Sequence, residues 1–253
     1  MQSNRLQLNT AKTEVIWCAS NRRQHQPPQV ALRVGTDHVL PTTSVRNLGI
    51  YVDCDVLMWT HVSKTVSSCF AVLRQLRSIR RSVSPAVLQS LVVSLVLSRL
   101  DYGNATLAGL LGNQLDRLQS VINAAARLVC SARRYEHITP LLRDLHWLPV
   151  RERIEFKLAV LVFRCLHGYG TAPPYLANEL CRVADIDARR RLRSVSTSAL
   201  VTLSSRRSTI IDRAFFVAAP RIWNSLPSSV TASQTLGTFR RRLKTHLFAV
   251  SFT

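Results

Sequence analysis

Lysine and acidic residues are scarce in this chain of 253 residues, and the scarcity limits what the chain can do. Fourteen Asp and Glu stand against 34 Lys and Arg, a formal net charge of +20. Only Lys12, Lys64, Lys157 and Lys244 are lysines; the remaining cations are arginines. Lysine would serve for solubility alone, whereas arginine's planar fork suits phosphate contact and base stacking. The cysteines (Cys18, Cys54, Cys69, Cys130, Cys165, Cys181) are scattered, with no C-x-x-C and no clustered histidines, so zinc is a poor expectation. The N-terminus, MQSNRLQLNT, lacks an apolar signal core. Apolar stretches such as Val92 to Leu97 fall well short of the roughly 18 to 20 residues that span a bilayer. A disulfide framework and a membrane role are therefore not expected. Reduced thiols and an intracellular location, nuclear or cytoplasmic, are.

What is present is a packable, basic chain. It is 47% hydrophobic, enough for a core, with a pI near 11.2. Residues 1–60 hold six basic and four acidic groups, and residues 61–253 hold the other twenty-eight and ten. A basic body of this kind ordinarily meets nucleic acid; an acidic protein or an anionic membrane comes second.

The first sixty residues read as strands and turns. Val15 to Cys18 is a short apolar run closed off by Gln26-Pro27-Pro28. Val30 to Leu40, interrupted by Gly35-Thr36-Asp37, has the outline of a β-hairpin. Val45 to Val52 predicts another strand, with Gly49 marking a bulge or a close approach. Near Trp59 the period changes. Val62, Val66, Cys69, Leu73, Leu76 and Ile79 step by four and three, as an amphipathic helix does, and Arg74, Arg77 and Arg81 form a basic stripe on another face. Ser84-Pro85 supplies a cap and first-turn proline for a helix running toward Leu100. Asn113 and Asp116 predict a capping box opening a helix to Val129. A further helix runs Ile154 to Leu166 and ends at Gly168. A Pro/Gly-broken loop, a polar Arg-rich stretch from Arg182 to Arg207, and an amphipathic piece from Phe239 to Phe248 follow.

Five blocks, Leu8 to Glu14, Val45 to Ile50, Ser98 to Asn104, Glu136 to Pro140 with Leu145 to Val150, and Asp212 to Pro227, in that order resemble the C-terminal part of non-LTR (LINE-type) retrotransposon reverse transcriptases. Leu8-Asn9-Thr10-Ala11-Lys12-Thr13-Glu14 resembles the segment that follows the catalytic hairpin, and Val45 to Ile50 resembles the strand-turn that grips the primer end. Ser98-Arg99-Leu100-Asp101-Tyr102-Gly103-Asn104 is similar to a thumb block, with Gly103 where a cysteine is usual. Glu136 to Pro140 with Leu145 to Val150 looks like the family's H-I-T-P and L-H-W-L-P-V pair. Asp212 to Phe215, Ala219 to Pro227 and Leu243 to Phe248 look like its terminal motif. Any one block is weak alone; five in order are specific.

The resemblance implies a fold that is α+β and mostly α: a palm remnant over residues 1–58, a helical thumb over 59–135, and a helical and irregular basic region over 136–253. It implies a nucleic-acid-binding piece of an RNA-directed DNA polymerase, with RNA and DNA (a template–primer duplex) as partners. The parent family holds Mg²⁺ on aspartates, one within an aromatic-x-D-D turn. That turn would fall before Met1, so neither a metal site, a cofactor nor polymerase activity is expected of this chain. Tyr51-Val52-Asp53-Cys54-Asp55 is the one lookalike, and its separated acids read better as a strand end turning into the thumb.

Lys12 matches a lysine proposed to protonate departing pyrophosphate, but a solvated surface lysine is the better reading here. Leu48 and Gly49 fall at the primer grip, where a missing Cβ lets a backbone pass; a strand bulge describes the same geometry. Arg74, Arg77 and Arg81, with Arg133, Arg134, Arg151 and Arg153, are the candidate phosphate contacts. A charge run is usually a solvated helix face, but too few acids exist here to pair these arginines. Arg189-Arg190-Arg191 with Arg193 is a nuclear-entry signal or a basic linker. Trp147 and Trp223, flanked by Leu and Pro, read as packing rather than base stacking. The alternative function is a structural or protein-interaction remnant with no nucleic-acid role.

Overall fold

A computed structural model describes residues 9–35, 37–168, 173–185, 199–202 and 214–252. Leu8, Arg189 to Arg191, Arg193, Asp212 and Arg213 lie outside them, as does most of the stretch between Arg182 and Arg207. The described residues are mostly helical with three small strand pairs, an α+β composition. They divide into two compact units, Met1–Lys64 and Thr65–Thr253, and the boundary falls inside one long helix.

In the first unit, β1 (Val15–Ile16) pairs in parallel with β4 (Pro41–Thr42), and β2 (Leu32–Val34) pairs antiparallel with β3 (Asp37–Val39). The hairpin expected between Val30 and Leu40 is therefore present in a shorter form. The strand expected from Val45 to Val52 is instead a second hairpin. β5 (Ser44–Asn47) turns through Leu48 and Gly49 into β6 (Ile50–Asp53), with Asn47 opposite Ile50. Both loop residues have positive φ, 47° at Leu48 and 85° at Gly49. That pair of angles is what a two-residue type I′ loop requires, because its twist matches the flanking strands. Gly49 is thus a turn residue, not a bulge. Arg46 and Tyr51 face each other across the ladder, and the Arg46 guanidinium and Lys64 Nζ lie 5.6 and 4.9 Å from the Tyr51 ring centroid.

The acids of the Tyr51–Asp55 run go to backbone. Asp53, buried at the end of β6, accepts the Thr60 N–H at 3.0 Å, and Asp55 accepts the Leu57 N–H at 2.9 Å. The Asp53 bond satisfies a donor that a helix start leaves orphaned, and the Asp55 bond closes the turn that leads into α1 (Trp59–Ile79). Nearby His61 is buried with its Nδ1 unpartnered; burial lowers its pKa, against the raising effect of the Asp53 charge.

The second unit is helical. α2 (Pro85–Val92) opens as its sequence demands: Ser84 Oγ accepts the Val87 N–H at 3.4 Å, and Pro85 sits where its missing N–H costs nothing. The helix expected to continue to Leu100 does not stay α-helical. Val93–Leu97 forms a π-helical segment before α3 (Ser98–Asp101). The wider turn puts Val92 and Leu97, five apart, on one side, and both are buried with Val96 and Leu100. Across from it, the Cys69 thiol donates weakly to the Val96 carbonyl at 3.9 Å.

α4 (Gly112–Cys130) begins without the capping box expected of Asn113 and Asp116. Its cap position is Leu111, whose carbonyl already accepts the Gln114 and Leu115 N–H groups, so Asn113 lies inside the first turn. After α5 (Ile138–Asp144), α6 (Val150–Leu166) stops before Gly168, whose φ of 64° ends the helix as its sequence predicts. α7 (Pro174–Asn178) follows. The C-terminal stretch, expected to be partly helical and partly irregular with an amphipathic piece from Phe239 to Phe248, holds α8 (Phe215–Ser225), α9 (Ser228–Thr231) and α10 (Leu236–Phe252). Phe239, Leu243 and Leu247 of α10 step by four into a core with Phe163 of α6 and Trp223 of α8. Arg240, Arg241, Arg242 and Lys244 occupy the exposed side, so the segment is amphipathic as its sequence predicts. Among the described residues, no helix is long and apolar enough to cross a membrane.

Candidate functional site

Several arginines gather along a groove between the C-terminal halves of α1 and α4. Its walls follow from helix periodicity. Leu73 and Leu76 turn inward on α1 and Leu128 on α4, which leaves Arg74, Arg77 and Arg81 on an outer face, three and four residues apart. Such positions place side-chain origins about 5–6 Å apart along the helix. Arg74, Arg77 and Arg80 line the groove from α1 and the turn after it, and Arg127 and Arg134 line it from α4 and the segment beyond. The floor is apolar: Phe70, Leu73, Ala124, Leu128 and Ala132. The cavity measures about 350 Å³. A second opening of about 680 Å³, bounded by Arg77, Ser78, Arg80, Arg81 and Ser131, continues it past both helix ends.

Among the described residues, no carboxylate lines either opening. Among the described residues, Arg74, Arg77, Arg80, Arg81 and Arg134 make no ion pair. Arg127 is held by a bond from its guanidinium to the Glu136 carbonyl at 3.3 Å, while its Nε is buried and unpartnered. Glu136 turns its own carboxylate back onto the Arg133 N–H, 2.6 Å away. Arg77 and Arg127 sit in the last turns of α1 and α4, where a cation offsets the helix dipole. Each C-terminus carries roughly half a negative charge, so two of them offset about one guanidinium. Of the six arginines lining the two openings, about five remain to set the sign of the potential, and the groove is positive.

The structure brings Arg74, Arg77, Arg81 and Arg134 of the expected contacts together, and sequence reasoning missed Arg80 and Arg127. Arg80 was hidden because the helix tightens into a 3₁₀ turn at Arg80–Ser82, which shifts its azimuth. Arg127 is a lone arginine among apolar residues of α4. Arg133 is exposed but folded onto Tyr135, donating to its hydroxyl at 2.6 Å. Arg151 and Arg153 lie elsewhere, on α6. Arg153 donates through two nitrogens to both oxygens of Asp101, the Nε bond being 2.9 Å, and Arg151 borders a separate cavity with Glu155 and Arg221. Lys12 is exposed on a 3₁₀ turn, Thr10–Lys12. Leu48 stands out at the hairpin tip, 83% exposed.

The motif blocks form joints in the packing. Asp101 takes the Arg153 clamp and also accepts from Asn104, itself buried. Trp147 and Trp223 are buried, as their flanking residues predicted. Asn224, beside Trp223, bonds both the N–H and the carbonyl of Leu200 at 2.8 Å. All six thiols are free, and burial pushes that of Cys69 up to about 11 against the opposing charge of Arg99, so it is a protonated core group. No known protein family, curated protein or solved structure matches the chain.

Proposed function

We propose that this chain is a nucleic-acid-binding part of a non-LTR retrotransposon reverse transcriptase, with the α1/α4 groove as its phosphate-binding surface and no polymerase activity of its own. The family assignment rests on the five ordered sequence blocks. The binding role rests on one observation: arginines from two helices and the segments after them converge on a groove that, among the described residues, no carboxylate lines. Their spacing of about 5–6 Å along α1 is close to the interval between neighbouring phosphates on a strand, so several contacts form without bending either partner. The parent family's Mg²⁺ chemistry plays no part in this proposal.

A triple Arg74→Gln, Arg77→Gln, Arg81→Gln variant tests it, since glutamine keeps length and helix propensity while removing charge. Oligonucleotide affinity of the purified chain, followed by fluorescence anisotropy across a salt series, should fall for every sequence alike. The log–log salt slope should flatten by about 2–3 units, roughly one counterion per lost contact. An unchanged slope in a folded variant would move the binding face to other arginines. A protein-interaction role is favoured by one feature, the exposed apolar residues Val87, Val93 and Leu95 around the π-helical segment. Affinity for a partner protein that holds as salt rises would support it. No primer extension is expected in any of these preparations.

A further inference from the structure

We infer that the α1/α4 groove takes a single-stranded stretch of nucleic acid, with one base resting on the floor of Phe70, Leu73, Ala124 and Leu128 and the flanking phosphates on the arginines at its rim. The inference rests on the proposed phosphate-binding role and narrows it. Duplexes present phosphates outward and keep their bases stacked inside. Against a surface made only of guanidinium groups that is enough. Here the arginines surround an apolar floor, and a duplex seated on the rim would leave that floor wet. A strand with unstacked bases covers both parts at once, the pattern by which proteins hold single strands: a cationic track for the backbone and apolar or aromatic surface for the bases.

Three further observations agree. The cavity of about 350 Å³ has the capacity of a small-molecule site, so a base fits within it where a helix of DNA or RNA does not. Arg127 presents a buried Nε without an acceptor beside that floor, and a phosphate or base oxygen would supply one. The second opening shares Arg77 and Arg80 with the first, so the lining continues as a track rather than closing as a pocket. From Phe70 to Arg81 the track runs roughly 16 Å along the helix, enough for a few nucleotides.

The experiment compares three probes of equal charge on the full chain at one salt concentration: a labelled single-stranded oligonucleotide, the corresponding duplex, and inorganic polyphosphate. The single strand should bind tightest, about tenfold over the duplex, the contribution expected of one base on such a platform. Phe70→Leu, which removes the ring and keeps most of the volume, should erase that preference while leaving the salt slope and polyphosphate binding as they were. Ala124→Leu fills the floor from the α4 side and should do the same, which covers the case in which the Phe70 variant fails to fold. Duplex binding equal to or tighter than single-strand binding, or single-strand affinity no better than that of polyphosphate, overturns the inference while leaving the phosphate-binding role intact. Failure of all three probes to bind would remove that role as well.

Discussion

Replacing Trp223 with alanine should remove a large part of the helical unit's stability. The indole is 1% exposed, with ring centroids of Phe239 and Phe163 at 5.8 and 6.5 Å. A tryptophan in this position buries about 200 Å². At roughly 25 cal/mol per Å², that is about 5 kcal/mol as an upper figure. Measured truncations of large buried aromatics cost about 3–5 kcal/mol, because neighbours relax only in part. Relaxation is limited here, since Asn224 pins the same turn to Leu200 through two bonds of 2.8 Å. We therefore expect a loss of about 4 kcal/mol, set against a total of about 5–15 for a domain. Urea unfolding followed by far-ultraviolet circular dichroism reads it: with a slope of about 2 kcal/mol per molar, the midpoint should drop by about 2 M. Trp17, 38% exposed and in the other unit, is the control, and Trp17→Ala should leave the helical transition in place. A Trp223→Ala midpoint within about 0.5 M of the parent, at unchanged slope, would refute the placement of this ring at the centre of the core.

Two other perturbations read different parts of the fold. Leu48 has a φ of 47° and exposes 83% of its surface, so Leu48→Asn relieves backbone strain without losing burial and should stabilise the strand-rich unit by about 1 kcal/mol, seen as slower amide exchange in β5 and β6. Burial and then the Glu152 charge raise the Glu155 pKa above its usual 4.5, with Arg151 opposing. A raised carboxyl binds its proton more tightly folded than unfolded, so it costs stability progressively as pH climbs from about 4.5 through the folded value. Glu155→Gln should flatten the pH dependence just above 4.5 and be no less stable than the parent at neutral pH. A parent that grows more stable across that window because of Glu155 would contradict the sign.

Long periodic segments were legible in the sequence, and geometry decided by single residues was not. α1 and α6 fall where their apolar steps put them, since 3.6-residue patterning over many turns admits one reading. The β5–β6 hairpin was misread because Leu-Gly is an unusual choice for a loop that wants two positive φ angles. α10 was legible as an amphipathic piece from Phe239 to Phe248, though not in its full extent of Leu236–Phe252, because the buried stripe recurs only at Phe239, Leu243 and Leu247. In the groove, the α1 stripe was visible because it is local. The contribution of Arg127 was not, since its neighbours in sequence are buried and its role depends on a second helix lying alongside.

The π-helical segment at Val93–Leu97 sets the angular phase of everything after it. An α-helix turns about 100° per residue, so one residue more or less before Ser98 would swing Asp101 by that amount about the axis. Asp101 would then face away from Arg153, and the bidentate clamp between α3 and α6 would have no acceptor. Side-chain substitutions along Val93–Leu97 leave this phase alone, because they change what is packed and not where the next helix points. A single-codon insertion or deletion does the reverse. The segment therefore fixes length at every position, and composition only where Val96 and Leu97 are buried.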